Sequence, residues 1–148
     1  MSQLRILLVD DSDIDRMLLR TSLERLDVKN VEIEEACGGA SALAAMTQSR
    51  FDAVVLDVCM PGESGLDVLR TIRERSHASW PLIVMCSSSN HPTDVDTAYS
   101  YLANAYVSKP DSLNGYRRLA EVFHGLFEQV VHPQTQENLS QDAPSHRE

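Results

Sequence analysis

The chain has 148 residues, of which 43% are hydrophobic and 24% charged, and its formal net charge is −9. This length fits one domain with a single core, and the acidic balance argues against a nucleic-acid surface, which needs clustered basic side chains. No apolar run approaches the roughly 20 residues that cross a bilayer, and the first residues lack a signal-peptide pattern, so we expect a cytoplasmic protein without membrane contact.

Apolar patterns predict five strands that alternate with five helices. Continuous or alternating apolar runs indicate strands, and apolar residues repeated every three or four positions indicate helices. The predicted strands are, in chain order, 4–9, 31–36, 53–56, 81–85 and 105–108. The predicted helices are about 13–26, 40–48, 65–75, 95–102 and 116–131. Ser12 can cap the first helix, with Asp15 as a shorter stand-in for the glutamate of a capping box.

Acidic residues follow two of the predicted strands. Asp10 and Asp11 come directly after the first strand, and Asp57 ends the third. In open parallel sheets, ligands bind at the carboxyl ends of the strands. If the two strands are neighbours, three carboxylates converge, and two unit charges about 4 Å apart repel by roughly 4 kcal/mol at an effective dielectric constant near 20. A hard divalent cation such as Mg²⁺, which takes oxygen ligands, is the natural partner.

The fourth and fifth strands end in different chemistry. Small polar residues from Cys86 to Ser89 follow the fourth strand, and Lys109 and Pro110 follow the fifth. An ammonium group is therefore expected at the same edge of the sheet as the acids. Its positive charge would neutralise part of the negative charge of the acids.

The order of these motifs resembles the receiver domain of two-component response regulators, of the CheY-like type. The motifs are LLVDD at 7–11, D-x-x-MP-x-x-x-G at 57–65, a small polar residue after the fourth strand, and Y-x-x-KP at 106–110. The resemblance covers residues 4 to about 130. It implies an α/β, doubly wound (βα)5 flavodoxin-like fold with five parallel strands in the order 2-1-3-4-5. We expect a receiver domain over 1–131 and a disordered tail over 132–148, where Pro, Gln, Ser and Asn dominate.

The resemblance also implies a role for each residue at the acidic edge. Asp57 would accept a phosphoryl group from a histidine kinase or a phosphotransfer protein. Asp10 and Asp11 would hold Mg²⁺, with Asp11, Asp57 and the backbone carbonyl of Cys59 as direct ligands. Lys109 would pair with the phosphoryl oxygens. The protein would catalyse only its own phosphorylation and dephosphorylation.

Two further positions would sense the phosphoryl group. Tyr106 matches the aromatic residue that changes rotamer on activation. For the small polar residue, counting forward from Pro81 gives Cys86, whereas counting back from Lys109 gives Ser87. The count from Pro81 is favoured, because the proline anchors the strand more directly than a variable loop does. A thiol is a weak donor, so Cys86 would weaken the coupling to the surface.

The signal is expected to leave through another protein, since the sequence shows no second domain pattern. The fourth helix, fifth strand and fifth helix form the expected output surface. A possible homodimer face within it consists of Tyr99, Tyr101, Phe127 and Val130. The loop over 87–94 and the extended last helix look similar to receivers that are paired with phytochrome-type kinases.

Three other classes of protein fit part of the pattern. A haloacid-dehalogenase-type phosphatase has a D-x-D motif, which Asp11 and Asp13 match, but it normally needs a cap and a longer chain. A flavodoxin-like flavin binder shares the strand order, but its first loop should be rich in hydroxyls and glycine. A receiver-like domain that binds partners without phosphate is the remaining alternative.

Overall fold

The computed structural model describes residues 4–26, 31–75 and 80–129, in which strands and helices alternate. The strands are β1 (Leu4–Val9), β2 (Val31–Ala36), β3 (Ala53–Leu56), β4 (Leu82–Ser87) and β5 (Ala105–Ser108). The helices are α1 (Asp13–Glu24), α2 (Gly39–Gln48), α3 (Gly65–Arg75), α4 (Pro92–Ser100) and α5 (Leu113–Gln129). No helix within these residues is long and apolar enough to cross a membrane.

The strands form one parallel sheet in the order β2-β1-β3-β4-β5, which confirms the predicted fold class. β1 and β3 are neighbours, and their last residues, Val9 and Leu56, pair with each other. Leu56 also pairs with Met85 of β4. Because all the strands run in the same direction, the residues that follow β1, β3, β4 and β5 emerge at one edge of the sheet.

The side chains of each strand alternate between the two faces of the sheet, as the repeat of a β-strand requires. On β3, Val54 and Leu56 pack with residues of α2, α3 and α4, whereas Ala53 and Val55 pack with residues of α1 and α5. Both faces are therefore covered, and each fully buried Val or Leu contributes roughly 1.5–3 kcal/mol. This explains why β3 reads as a continuous apolar run instead of an alternating one.

The same alternation separates the residues at the end of β4. Met85 lies on the face covered by α2, α3 and α4, and Cys86 lies on the face covered by α1 and α5. The sequence predicted that this strand ends at Met85. It continues to Ser87, because Cys86 and Ser87 are buried and remain paired with β5.

Several helix boundaries also differ from the sequence prediction. α1 ends at Glu24 instead of about residue 26, α4 begins at Pro92 with His91 as its N-cap, and α5 begins at Leu113. The predicted end of the last helix at 131 and the predicted tail over 132–148 lie outside the described residues.

Candidate functional site

Three carboxylates meet at the carboxyl edge of the sheet. One oxygen each from Asp10, Asp11 and Asp57 lies within 4.8 Å of the other two. Asp10 and Asp57 are buried, with 8% and 4% of their surfaces exposed, whereas Asp11 is exposed. The neighbouring positions of β1 and β3 bring the acids together, because Asp10 and Asp11 follow β1 and Asp57 follows β3.

Backbone hydrogen bonds with β1 and within the loop after β3 fix the position of Asp57. The Asp57 amide donates a hydrogen bond to the Val9 carbonyl (3.0 Å), and the Cys59 amide donates one to Asp57 Oδ1 (3.3 Å). The Gly65 amide donates to the Val58 carbonyl (2.8 Å). A Cβ atom at Gly65 would lie 1.8 Å from the Asp57 carbonyl oxygen, so α3 can begin this close to the acid only at a glycine.

Lys109 brings a positive charge to the acids from the end of β5. Its Nζ lies 2.7 Å from Asp10 Oδ2, 2.9 Å from Asp15 Oδ2 and 3.5 Å from Asp57 Oδ2. Its backbone amide donates to the Ser87 carbonyl (2.8 Å), which fixes where the side chain begins. Burial alone would oppose the charged ammonium, but hydrogen bonds to Asp10 and Asp15 outweigh it and raise the pKa of Lys109.

The environment of Asp57 disfavours its charged form when no cation is bound. Burial, together with repulsion from Asp10, raises the pKa of Asp57 to about 6. Attraction by Lys109 and the hydrogen bond from the Cys59 amide oppose this rise but do not cancel it. A further cation at the acids would favour the carboxylate form, which is the form that can act as a nucleophile.

Asp15 joins the site, although the sequence suggested only a capping role for it. Its amide donates to Ser12 Oγ (3.1 Å), which is half of the expected capping box. The other half does not form, because the Ser12 amide donates to Asp10 Oδ1 (2.9 Å) and the Asp15 carboxylate turns to Lys109. The sequence placed Asp15 in the first turn of the helix that follows the acid pair, but it gave no sign that Lys109 would reach that turn.

Asp13 does not join the site. Its side chain is 87% exposed and pairs with Arg16. The second acid of the D-x-D pattern is therefore not part of the carboxylate cluster that contains Asp11, which does not favour a haloacid-dehalogenase-type site.

The donor set at the acidic edge fits a hard divalent cation such as Mg²⁺. Asp10 offers an oxygen to this cluster, while its two oxygens also contact the Ser12 amide and Lys109. Asp11 and Asp57 have carboxylate oxygens close together that can act as ligands. Carboxylate oxygen is the ligand type that Mg²⁺ prefers, and Mg²⁺ usually retains several waters. The part of the backbone carbonyl of Cys59 stays a prediction.

A second group of residues near the end of β4 is joined by neutral hydrogen bonds instead of ion pairs. The Tyr106 hydroxyl donates to the Ser89 carbonyl (2.7 Å), and the Ser89 amide donates to Ser87 Oγ (3.1 Å). Burial raises the pKa of Tyr106, while a hydrogen bond with Ser87 acts against this rise. Ser87 is fully buried, and Tyr106 packs on the same face of the sheet as Met85.

Cys86 faces the opposite way from Ser87. It lines a small cavity together with Asp57, Lys109 and Tyr116, on the face covered by α1 and α5. Burial raises the pKa of the Cys86 thiol to about 12. The two candidates for the small sensing residue are thus placed on different sides of the sheet, and only Ser87 lies next to Tyr106.

The residues of the possible dimer face have different environments. Tyr99 is 48% exposed, and its hydroxyl accepts a hydrogen bond from the Tyr106 amide (3.1 Å). Tyr101 is half-buried, with the Arg70 guanidinium 5.7 Å from the centre of its ring. Phe127 packs against Phe123 within the chain's own core. Val130 lies outside the described residues.

Comparisons with known proteins agree with this geometry. Over residues 6–119 the sequence matches the response regulator receiver domain. The chain is 30% identical to the chemotaxis protein CheY of Pseudomonas aeruginosa over 127 residues, which cover 86% of this chain and 98% of CheY. It spans less than half the length of the first relatives it matches, which include a transcriptional regulatory protein and sensor proteins.

Solved structures show the same fold. The response regulator protein TrrA of Thermotoga maritima, in complex with Mg²⁺-BeF, is 31% identical with a TM-score of 0.67, and the match covers 84% of this chain and 99% of TrrA. The phosphorylated cyanobacterial phytochrome response regulator RcpA has a TM-score of 0.81 at 22% identity, over 88% of this chain and 98% of RcpA. The chain belongs to the family of response regulator receiver domains, which are signalling proteins.

Proposed function

We propose that this chain accepts a phosphoryl group on Asp57 from the phosphohistidine of a histidine kinase or a phosphotransfer protein. One observation carries the proposal. Asp57 is buried between two acids and a lysine: its carboxylate lies in a cluster with Asp10 and Asp11, and Lys109 Nζ is 3.5 Å from its Oδ2. This environment combines a buried carboxylate with an ammonium and with acids that can hold a cation, and these two positive charges can neutralise a phosphate.

The transfer is a substitution at phosphorus. A carboxylate oxygen of Asp57 forms a bond to phosphorus, and the bond between phosphorus and the donor nitrogen breaks. The electron pair of that bond stays on the imidazole nitrogen, which takes a proton from solvent. Asp11 and Asp57 would hold Mg²⁺, which would neutralise charge on the phosphoryl oxygens.

The protein's own groups supply orientation and charge. The Cys59 amide restrains Asp57 Oδ1, so the opposite oxygen faces Lys109. The Lys109 ammonium is available to pair with the new phosphoryl oxygens, which carry a charge of about −1.5 to −2 near neutral pH. Little covalent chemistry beyond this positioning is needed for phosphoryl transfer.

Intact-mass measurement after incubation with acetyl phosphate and Mg²⁺ tests the proposal. We expect the mass of one added phosphoryl group on the wild type and none on Asp57→Asn. Asp13→Asn is the matched control, because it also removes one acid near the site but from an exposed position. Wild-type protein that stays unmodified by small donors and kinases, or Asp57→Asn protein that is still modified, would contradict the proposal.

We further propose that Ser87, with Tyr106, passes the signal to the face formed by α4, β5 and α5. The support is their shared side of the sheet and their common link to Ser89. Beryllofluoride with Mg²⁺ mimics the phosphorylated state, and amide NMR shifts over α4 and β5 report the response. We expect Ser87→Ala to lose most of these shifts and Cys86→Ala to keep them. The reverse result would assign the role to Cys86.

The partners follow from the same chemistry. The donor is a histidine kinase, for which the phytochrome type is our specific proposal, supported by the similar fold of RcpA. The output is a protein that binds the face of α4, β5 and α5. A homodimer through Tyr99 and its neighbours stays a prediction that size-exclusion chromatography before and after phosphorylation tests. The cytoplasmic location also stays a prediction.

A further inference from the structure

Asp15, which lies outside the sequence motifs, is closer to the Lys109 ammonium than Asp57 is. The Lys109 ammonium lies 2.9 Å from Asp15 Oδ2 but 3.5 Å from Asp57 Oδ2. Asp15 lines the cavity at the site together with Asp10, Asp57 and Lys109. The contact joins residues 94 positions apart, from the first turn of α1 to the end of β5, so it is not a local helix pair.

The position of Asp15 is fixed by its helix. Its amide is held by the N-cap Ser12, and its side chain is short, so the carboxylate has little freedom to follow Lys109 elsewhere. Asp13, two residues earlier, points to solvent and pairs with Arg16. Of these two acids, Asp15 lines the cavity and Asp13 does not. A general preference for acids in the first turn of a helix therefore does not explain the position of Asp15.

We propose that Asp15 is a positioning residue that holds the Lys109 ammonium in the unphosphorylated protein and competes with the phosphoryl group for it. The inference rests on the proposed function, because it concerns the lysine that would pair with the phosphate. Lys109 must exchange its contact with Asp15 for contacts with phosphoryl oxygens. Asp15 thereby favours the unphosphorylated state and limits how readily Asp57 is phosphorylated.

The electrostatics support competition over assistance. In the unphosphorylated protein one ammonium is shared among Asp10, Asp15 and Asp57. In the unphosphorylated protein the ammonium is 3.5 Å from Asp57 Oδ2, its most distant acid partner. A phosphoryl group on Asp57 would add negative charge on this side of the ammonium. The three N–H donors of the ammonium are now shared among three carboxylates, so closer contact with phosphoryl oxygens on Asp57 draws the ammonium away from the acids that it contacts at 2.7 and 2.9 Å. Asp15 is the partner without a role in the metal cluster, so we expect its contact to be lost.

The binding of beryllofluoride in the presence of Mg²⁺ tests the competition. Asp15→Asn keeps the shape of the side chain and an acceptor oxygen but removes the charge. We expect it to bind beryllofluoride about three- to tenfold more tightly than the wild type, as for the removal of one unit charge near an anion. Asp13→Asn is the matched control for charge in the same helical turn and should bind as the wild type does. Asp15→Glu, which restores the charge, should return the affinity towards that of the wild type.

A second measurement reports the position of Lys109 itself. The ¹H–¹⁵N NMR signal of its ammonium should be visible in the unphosphorylated wild type, where hydrogen bonds slow exchange with water. It should shift or broaden in Asp15→Asn but not in Asp13→Asn, and it should also shift when beryllofluoride binds to the wild type.

The outcomes separate this inference from the proposed function. A wild type that does not bind beryllofluoride contradicts the proposed function. A wild type that binds it, with Asp15→Asn matching Asp13→Asn or binding more weakly, overturns the competition and leaves the proposed function standing. Tighter binding by Asp15→Asn with an unchanged Lys109 signal would show that Asp15 acts through its charge alone, which overturns the positioning role.

Discussion

Asp57 lies between two flanks that are built from different interactions. The cationic flank consists of Lys109 with Asp10 and Asp15, joined by contacts of 2.7 and 2.9 Å between ammonium and carboxylate. The hydroxyl flank consists of Ser87, Ser89 and Tyr106, joined by neutral hydrogen bonds of 2.7 and 3.1 Å. The first faces α1 and α5, and the second faces α4. One flank holds charge, and the other holds only dipoles.

This difference decides what each flank can do. Removing one partner of a buried ion pair costs roughly 3–5 kcal/mol, because the other charge is left uncompensated. A neutral hydrogen bond contributes a net of only about 0.5–1.5 kcal/mol. The cationic flank is therefore suited to neutralise an arriving phosphate. The hydroxyl flank can be rearranged at little cost, which suits an element with two states.

Removal of the ammonium should break the cationic flank and give the largest effect. Lys109 is only 12% exposed in its side chain, and without it Asp10, Asp15 and Asp57 repel one another. We expect Lys109→Ala to lower the free energy of unfolding by about 2–3 kcal/mol at neutral pH without metal, less than for a fully buried pair because the site keeps some contact with water. Addition of Mg²⁺ should restore part of this loss, because a cation again compensates the acids. Urea unfolding with and without Mg²⁺ measures both effects.

Arg70→Ala is the control for the loss of a cation. Arg70 pairs with Glu74 at 3.3 Å, but both side chains are at least 60% exposed. We expect a change below about 1 kcal/mol, as for most surface pairs. Equal losses for Lys109→Ala and Arg70→Ala would show that the cationic flank adds nothing beyond an ordinary surface ion pair.

The acid between the flanks should show the next largest effect, with a defined pH dependence. The pKa of Asp57 is raised from 3.8 to about 6 in the folded protein. Its protonated form therefore stabilises the fold below pH 3.8, and this contribution is lost as pH rises through 6. Because Asn mimics the protonated acid, Asp57→Asn should stabilise the metal-free protein by about 2 kcal/mol near pH 7.5. The gain should disappear towards pH 4.

Unfolding curves of the two proteins in a chelator, recorded from pH 4 to 8, measure this difference. Asp67→Asn is the control, since Asp67 is an exposed acid in the first turn of α3. It should change the stability by only a few tenths of a kcal/mol. A gain for Asp57→Asn that is as large at pH 4 as at pH 7.5 would contradict the assigned role of burial and of Asp10.

Most of the fold and of the cationic flank could be predicted from the sequence. The strands are continuous apolar runs, and parallel strands place the residues that follow them at one edge, so Asp10, Asp11, Asp57 and Lys109 were expected together. Asp15 was missed because a capping box and an ion pair need the same residue type at that position. The choice between them depends on Lys109, which comes from the far end of the chain.

The hydroxyl flank was harder to predict. Two anchors, Pro81 and Lys109, gave positions for the sensing residue that differ by one, and in a strand a shift of one residue exchanges the two faces. The pairing of Ser87 with Ser108 fixes the register, but it depends on contacts between strands that single-strand patterns do not encode. The end of β4 was placed too early for the same reason: Cys86 and Ser87 are small and polar, yet buried.

The smallest effect on stability is expected when one hydrogen bond of the hydroxyl flank is removed without a change in charge or packing. Tyr106→Phe removes the hydrogen bond to the Ser89 carbonyl but keeps the ring in place. We expect a loss of about 1 kcal/mol in the free energy of unfolding, the cost of one neutral hydrogen bond. Tyr101→Phe is the control, because Phe keeps the ring surface that faces Arg70, and it should cost less than about 0.5 kcal/mol. If Tyr106→Phe were as damaging as Lys109→Ala, the hydroxyl flank would be rigid and could not rearrange cheaply, and the distinction between the two flanks would fail. A loss no larger than that of Tyr101→Phe would instead mean that Tyr106 is held by its ring alone, so its hydroxyl could change partners without cost.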